Sequence, residues 1–342
     1  MLTAMAPLFQ MRGVQCDVLA LVRRPSPFDR LLKEHNISLC FTGVREMYSP
    51  RQILALARHI EGYDIVHVHL FPAQLWTALA AAGMSHPPPL VTTEHNAWNA
   101  RRRWWLRPVD LWMYSRYSRI ACISEASAES LRRWCPRVTK SITIVPNGIS
   151  LDIFEKALPA KFEHIPKDAV KLVFVGRCDQ PKDHATILRA MRDLPNAHLL
   201  LVGDGPLRRD LERLTRDLGV NDRVSFLGWR SDVAGILKAS DIYIHSTHSD
   251  GFGIAACEAM ASGLPVIASD VPGLSQLIAG AGMLFPDGDD KILTDHVKFL
   301  MQSPSCRRQM RLASRLRARR FSIENTVEHC ICMYRSVREG SG

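Results

Sequence analysis

Asp250-Gly-Phe-Gly-Ile-Ala-Ala-Cys-Glu258 continues through Ala259-Met-Ala-Ser-Gly-Leu-Pro265 into Val266-Ile-Ala-Ser-Asp270. Glycines 251 and 253 flank Phe252 immediately before a helical run. Such a loop can turn backbone N–H groups toward an anion at the positive end of the helix, and phosphate is the natural candidate. Ile254, Ala255, Ala256, Cys257, Ala259, Met260 and Ala261 make the helix apolar on every face, which predicts burial. Glu258 is its only charge. A buried carboxylate costs several kcal/mol unless something bonds it, so Glu258 needs a protein partner or a polar ligand. Asp250 sits at the mouth of the loop.

An acidic residue, seven intervening residues and then Glu, in an E/D-G-F-G…E-A-M-A-x-G-x-P-V frame, resembles the donor-site signature of retaining glycosyltransferases of family 4. These have the GT-B fold. The resemblance implies that Glu258 hydrogen-bonds the ribose hydroxyls of a nucleotide-sugar and that Asp250 faces the sugar. It also implies that the Gly251-Phe252-Gly253-Ile254 loop holds the donor. Asp250 stands where the family more often carries Glu, which shortens the reach to the sugar. The plain alternative is a glycine turn and a core helix with one satisfied Glu.

The chain of 342 residues is long enough for two domains. Its residues are 46% apolar and 23% charged, the balance of a globular protein. No apolar run nears the ~20 residues of a membrane-spanning helix. The start lacks the pattern of a signal peptide, so a cytoplasmic protein is expected. Nine scattered cysteines suit reduced thiols, and Cys330-x-Cys332 lacks a second ligand pair for zinc. Net charge is +10, unevenly shared: residues 1–150 carry 18 Lys and Arg against 10 Asp and Glu, the remainder 26 against 24. The first half therefore faces something anionic: nucleic acid, an anionic membrane surface or a phosphorylated acceptor. No nucleic-acid-binding motif is present, which weakens the first of these.

In the first half, residues 14–22, 37–42, 65–70, 90–93, 119–123 and 142–145 read as strands, with helical patterns at 50–60, 72–82 and 124–134. In the second half the strands fall near 171–175, 198–202, 224–227, 241–244, 265–268 and 283–285. This alternation predicts an α/β fold of two Rossmann-like domains with parallel sheets. They are expected over 1–150 and 151–322, with a junction near Pro146-Asn147-Gly148, Pro159 and Pro166. Residues 323–342 form a long amphipathic helix and tail. The resemblance places the two sheets across a cleft, with that helix crossing back to the first domain.

The first residues look like a helix ending at Arg12-Gly13 with no strand before it, although Rossmann domains open on a strand at mid-sheet. That strand and its Gly-rich loop are predicted to be missing, leaving a gap in the first sheet. A start upstream of Met1 or a truncated sequence is favoured over a loss of the strand. Were these residues the whole protein, poor stability or no activity is expected.

Val173-Phe-Val-Gly176-Arg177 closes the second domain's first strand, and Lys182 follows. Cations at the C-terminal edge of a parallel sheet stand where α/β domains bind ligands, and by resemblance Arg177 and Lys182 grip the leaving diphosphate. Phe226-Leu227-Gly228-Trp229 ends another strand on that edge, and by resemblance Gly228 and Trp229 lie against the base. His67 and His69 share one face of a strand, with no third metal ligand at hand. His95 closes the next strand and matches the family's active-site histidine.

Trp98, Arg101 to Arg103, Trp104, Trp105, Arg107 and Trp112 form a basic aromatic segment. It suits a membrane interface or a helix packed on the sheet with its arginines in water. Asp287-Gly-Asp289-Asp290 is discounted as a metal site. No metal and no cofactor are expected. The predicted function is a retaining transferase moving a sugar from a nucleoside diphosphate sugar to a saccharide or lipid-linked acceptor. Such an enzyme fits surface polysaccharide or glycolipid biosynthesis, with peripheral contact at the inner face of the plasma membrane. A GT-B sugar-nucleotide epimerase and a non-catalytic sugar-nucleotide binding subunit are the alternatives.

Overall fold

A computed structural model describes residues 2–24, 28–96 and 101–339. The chain divides into two units, Met1–Gly148 together with Ile323–Gly342, and Ile149–Ser322. Among the described residues no helix is long and apolar enough to cross a membrane.

The first unit runs α1 (Leu2–Met11), β1 (Val18–Ala20), α2 (Phe28–Glu34), β2 (Leu39–Phe41), α3 (Arg51–Ile60), β3 (Val66–His69), α4 (Ala73–Ala82), β4 (Leu90–Glu94), α5 (Arg107–Ser115), β5 (Arg119–Cys122), α6 (Glu125–Trp134) and β6 (Ile142–Ile144). All pairings are parallel, but the strands form two separate sheets, β1-β2 and β3-β4-β5-β6. Among the described residues the pairing leaves β1 and β3 unjoined. It also corrects the first strand: residues 14–22 were expected, yet only the three with partners on β2 are strand. The rest have no neighbouring ladder to hold them extended. α1 spans the break. Its Met5 and Phe9 pack with Val91 of β4 and Ala121 of β5, while Ala6 packs with Leu32 and Ile37 beside Val18 and Leu39.

The second unit runs α7 (Leu151–Glu155), β7 (Val170–Val175), α8 (His184–Ala190), β8 (Ala197–Val202), α9 (Arg208–Asp217), β9 (Val224–Gly228), α10 (Val233–Lys238), β10 (Ile242–His245), α11 (Ile254–Ala261), β11 (Val266–Ser269), α12 (Leu274–Ile278), β12 (Gly282–Phe285), α13 (Asp290–Gln302) and α14 (Pro304–Ala318). Its six strands lie in the order β12-β11-β10-β7-β8-β9, so the unit's first strand is central. Leu172, Phe174, Leu199, Leu201, Ile242, Ile244 and Ile267 are buried in one core. Continuous apolar runs of this kind are what a parallel sheet covered on both faces requires.

The last helix, α15 (Ile323–Glu339), belongs to the first unit. Its apolar stripe of Ile323, Val327, Cys330, Ile331 and Val337 shares a core with Met5, Val91, Ala121 and Val145.

Candidate functional site

The C-terminal ends of β7, β10 and the loop before α11 bring three polar side chains together. Lys182 Nζ donates to Asp250 Oδ2 at 2.6 Å, and His245 Nε2 lies 3.1 Å from the same oxygen. Tyr243 OH stands 2.9 Å from His245 Nδ1. Burial lowers the His245 pKa, so the ring is neutral at pH 7. A neutral imidazole donating from Nε2 to Asp250 and accepting at Nδ1 from Tyr243 gives each ring nitrogen a partner, and Lys182 Nζ also lies 3.3 Å from Nε2. Burial alone would push the Asp250 carboxyl up; His245 and the Lys182 ammonium outweigh it and hold the carboxyl well below the usual carboxylate range. Lys182 is fixed by its backbone, which bridges to Thr247.

The other Asp250 oxygen accepts the N–H groups of Phe252 at 3.1 Å and Gly253 at 2.7 Å. Two amides expected to face an anion are thus bonded to Asp250 instead. The physical reason is that a short carboxylate two and three residues upstream closes a tight local turn on them. The N–H groups of Ile254 and Ala255, in the first turn of α11, have no acceptor among the described residues. They are the ones open to an anion. Gly253 caps that helix at φ +87°, and a Cβ there would stand 2.3 Å from the Leu274 side chain. Gly273, at φ +96°, leaves room for the Asp250 carbonyl oxygen, which a Cβ would meet at 2.4 Å. Gly251 is half-buried, and Phe252 is buried with its ring 5.3 Å from that of Phe321.

The all-round burial expected for α11 is also corrected. Ile254 is 44% exposed, and Ala255 and Glu258 are half-buried. These positions form one stripe on the helix, because residues four apart share a face. Glu258 has no hydrogen-bond or ion-pair partner among the described residues, and burial pushes its pKa up to about 7. Of the two readings offered by the sequence, a protein partner is therefore excluded among the described residues.

Arg177 extends from the loop after β7, largely exposed, and pairs with Asp179 at 3.1 Å. Gly228 ends β9 and accepts the Gly203 N–H at 2.8 Å, while Trp229 beyond it is exposed. Asp287 and Asp289 have structural uses: the first bonds His248 Nδ1 at 2.8 Å, and the second caps α13.

His95 lies in the first unit, at the end of β4. Its Nε2 is 3.1 Å from His69 Nδ1, so a third imidazole does stand beside the pair on β3. His67 cannot ligate, since its nitrogens are taken by Tyr334 OH at 2.6 Å and Thr93 Oγ1 at 2.7 Å. Burial lowers all three pKa values, that of His67 to about 3. His95 also lines a cavity of about 450 Å³ with Gln74, Glu94, Asn96 and Arg101. Glu94 is buried, which raises its pKa, and accepts the Tyr114 hydroxyl at 2.5 Å.

The basic aromatic segment is split in its roles. Arg101 pairs with Asp110 at 2.5 Å and lies over the Phe71 ring, and Arg102 bonds Ser130, so neither is merely a solvated charge. Arg107 bonds the Trp134 carbonyl, and Trp112 stacks under Arg116. Trp104 and Trp105 are 83% and 53% exposed. Trp98 lies outside the described residues.

His245 and Tyr243 were not picked out from the sequence. The available signal was the period-two pair Tyr243/His245 at the C-terminal end of a strand, five residues before Asp250.

Residues 1–153 match the family model described as Glycosyltransferase Family 4, and residues 158–317 match Glycosyl transferases group 1. The chain belongs to the family 4 glycosyltransferases, of GT-B fold. It is 31% identical, over 59% of its own length, to the lipopolysaccharide core biosynthesis glycosyltransferase LpsD of Rhizobium meliloti. It is 28% identical, over 71% of its length, to the UDP-Gal:α-D-GlcNAc-diphosphoundecaprenol α-1,3-galactosyltransferase of Escherichia coli. The chain spans 59% and 66% of those relatives' lengths, respectively. The crystal structure of Anabaena HepE with UDP and glucose matches 99% of this chain and 94% of its own, at a TM-score of 0.79 and 20% identity.

Proposed function

We propose that the chain is a retaining glycosyltransferase that moves a sugar from a nucleoside diphosphate sugar to a saccharide or lipid-linked acceptor, in surface polysaccharide or glycolipid assembly. The observation that carries this reading is on α11. One open stripe presents, among the described residues, unbonded amides at the helix start and, one turn on, a carboxylate without a hydrogen-bond partner. Amides at a helix N-terminus suit a phosphate, and a carboxylate suits a pair of vicinal hydroxyls. That is the polarity of a nucleoside diphosphate laid along a helix.

In the reaction, the bond from the anomeric carbon to the diphosphate oxygen breaks and a bond to the acceptor oxygen forms on the same face. The acceptor proton passes to the departing diphosphate. The residues supply charge rather than a nucleophile. Lys182 has three donors; Asp250 takes one and His245 Nε2 lies 3.3 Å from the ammonium, which still leaves a donor for a phosphate oxygen. Arg177 is on the same edge and largely exposed. Asp250 is held ionised beside the sugar position. These cations and amides suffice in this reading without a metal or cofactor. A UDP-linked galactose donor and a diphosphoundecaprenol acceptor, as in the name of the E. coli relative, illustrate the substrate classes.

Peripheral contact with the anionic inner face of the plasma membrane is part of the proposal. It is supported by the positive first half and by the exposed Trp104 and Trp105 beside Arg103. The decisive experiment is a panel of nucleoside diphosphate sugars, with and without lipid-linked acceptor, monitored by nucleotide release and product mass. Release that requires acceptor supports the transferase. Conversion of the donor alone indicates an epimerase, and tight binding without turnover indicates a binding subunit.

A further inference from the structure

Asp287 draws no metal partner from its own turn, where Asp289 caps α13 and Asp290 pairs with Arg189 at 3.2 Å. Its neighbours come from two other loops. Among the described residues Asp183, His248 and Asp287 are the one group of three ligating side chains drawn together, with one ligand atom of each within 4.8 Å of those of the others. They follow β7, β10 and β12, parallel strands of one sheet that end on the same edge.

Backbone pairing explains why Asp183 and His248 meet. The Asp183 N–H donates to the Ser246 carbonyl at 3.2 Å and the His248 N–H to the Pro181 carbonyl at 3.0 Å, so the loops after β7 and β10 run antiparallel across Lys182 and Thr247. Alternation turns Lys182 to one face, where its ammonium meets Asp250 at 2.6 Å, and turns Asp183 and His248, diagonal neighbours in this pairing, to the other. Asp183 is buried, with Oδ1 fixed by the Thr186 N–H. Among the described residues its Oδ2 receives only the Ser246 hydroxyl, at a long 3.4 Å. Asp287 comes in from beyond β12, its two oxygens 2.8 and 3.0 Å from His248 Nδ1.

Two carboxylates and at most one imidazolium leave this cluster net negative, and among the described residues no Lys or Arg pairs with either acid. A cation would balance that charge. Two ligands on a tetrahedral ion at ~2.0–2.2 Å lie about 3.4 Å apart. The exposed His248 and Asp287 reach that separation by side-chain rotation, with Asp183 as the fixed ligand. An imidazole beside two carboxylates is a set for zinc and its neighbours in the first transition row, whereas calcium and magnesium take oxygen throughout. We propose that Asp183, His248 and Asp287 bind a divalent transition-metal ion of the zinc class, with water in its open positions. The ion ties together the loops after β7, β10 and β12, on the face turned away from Lys182 and Asp250. Its role is structural, and it bonds no reacting atom.

The test titrates Zn²⁺ and, separately, Co²⁺ into the chelator-treated full chain, with Mg²⁺ and Ca²⁺ for comparison, and repeats each titration on His248→Ala and Asp287→Asn. Both of these side chains are exposed, and urea denaturation in chelator checks that each variant folds as the wild type does. Zn²⁺ binding weakened at least ~10-fold by either substitution supports the site, since loss of an outer-shell partner alone costs about 10–100-fold. Zn²⁺ should also raise the wild-type melting temperature more than that of either variant. Co²⁺ lost from the variants should show no thiolate charge-transfer band, which separates this site from the nine cysteines. Four results overturn the proposal: no saturable Zn²⁺ binding, equal binding by wild type and both variants, a thiolate band in the variant-sensitive spectrum, or Mg²⁺ bound as tightly as Zn²⁺.

Discussion

Replacing Glu258 with Gln is expected to strengthen the fold while weakening donor binding. Burial raises the carboxyl from 4.5 to about 7. Between those values the folded protein holds more protons than the unfolded chain, so wild-type stability falls as pH rises through this window. A displacement of that size corresponds to ~3 kcal/mol, which solvent access to this half-buried group reduces to about 1–2 kcal/mol. Gln has no charge to bury. The advantage of Glu258→Gln is therefore absent near pH 4.5 and complete by about pH 8. Urea denaturation of both proteins across that range measures it. In parallel, affinity for the nucleoside diphosphate selected by the donor panel should fall at least ~10-fold at pH 8, since hydrogen bonds to a charged acceptor contribute about 1.5–3 kcal/mol. Wild-type affinity should weaken as pH falls through about 7 and level off near that of the variant, whose own profile should be flatter. A variant no more stable than wild type at pH 8, or one that binds nucleotide equally well, refutes the reasoning.

Lys182→Ala removes the cation beside a buried carboxylate. It should lower kcat ~100-fold or more and cost about 3 kcal/mol in denaturation; unchanged nucleotide release contradicts the charge role. Gly273→Ala forces a Cβ against the Asp250 carbonyl at positive φ, so a loss of ~2–3 kcal/mol and a raised donor KM are expected in denaturation and kinetics. Trp104→Ala combined with Trp105→Ala should reduce flotation with anionic vesicles several-fold while changing stability by less than ~0.5 kcal/mol each, both rings being exposed.

The layered α/β architecture was legible because parallel strands such as Leu199–Val202 are uninterrupted apolar runs between helical patterns, and short-range periodicity carries that information. The break between β1 and β3 was foreshadowed in the same way, since a helix stands where a Rossmann-like domain opens on a strand. The ion pair of Lys182 and Asp250 was not legible, because it joins residues 68 apart through the arrangement of β7 beside β10. His245 escaped because the strand was ended at 244, one residue short. The bonding of the Phe252 and Gly253 amides by Asp250 is a local turn that glycine spacing alone does not distinguish from an anion cradle. The contact of His95 with His69 follows from the register of β3 on β4, which only pairing reveals.

The membership of α15 in the first unit has a bearing on synthesis. Val327, Cys330 and Ile331 complete a core begun by Met5 and Phe9, so that core stays unfinished until α15 has left the ribosome. Residues 149–322 emerge earlier and hold all six strands of their own sheet. The later-encoded half should reach its native state first, while the half encoded first waits, exposed to chaperones.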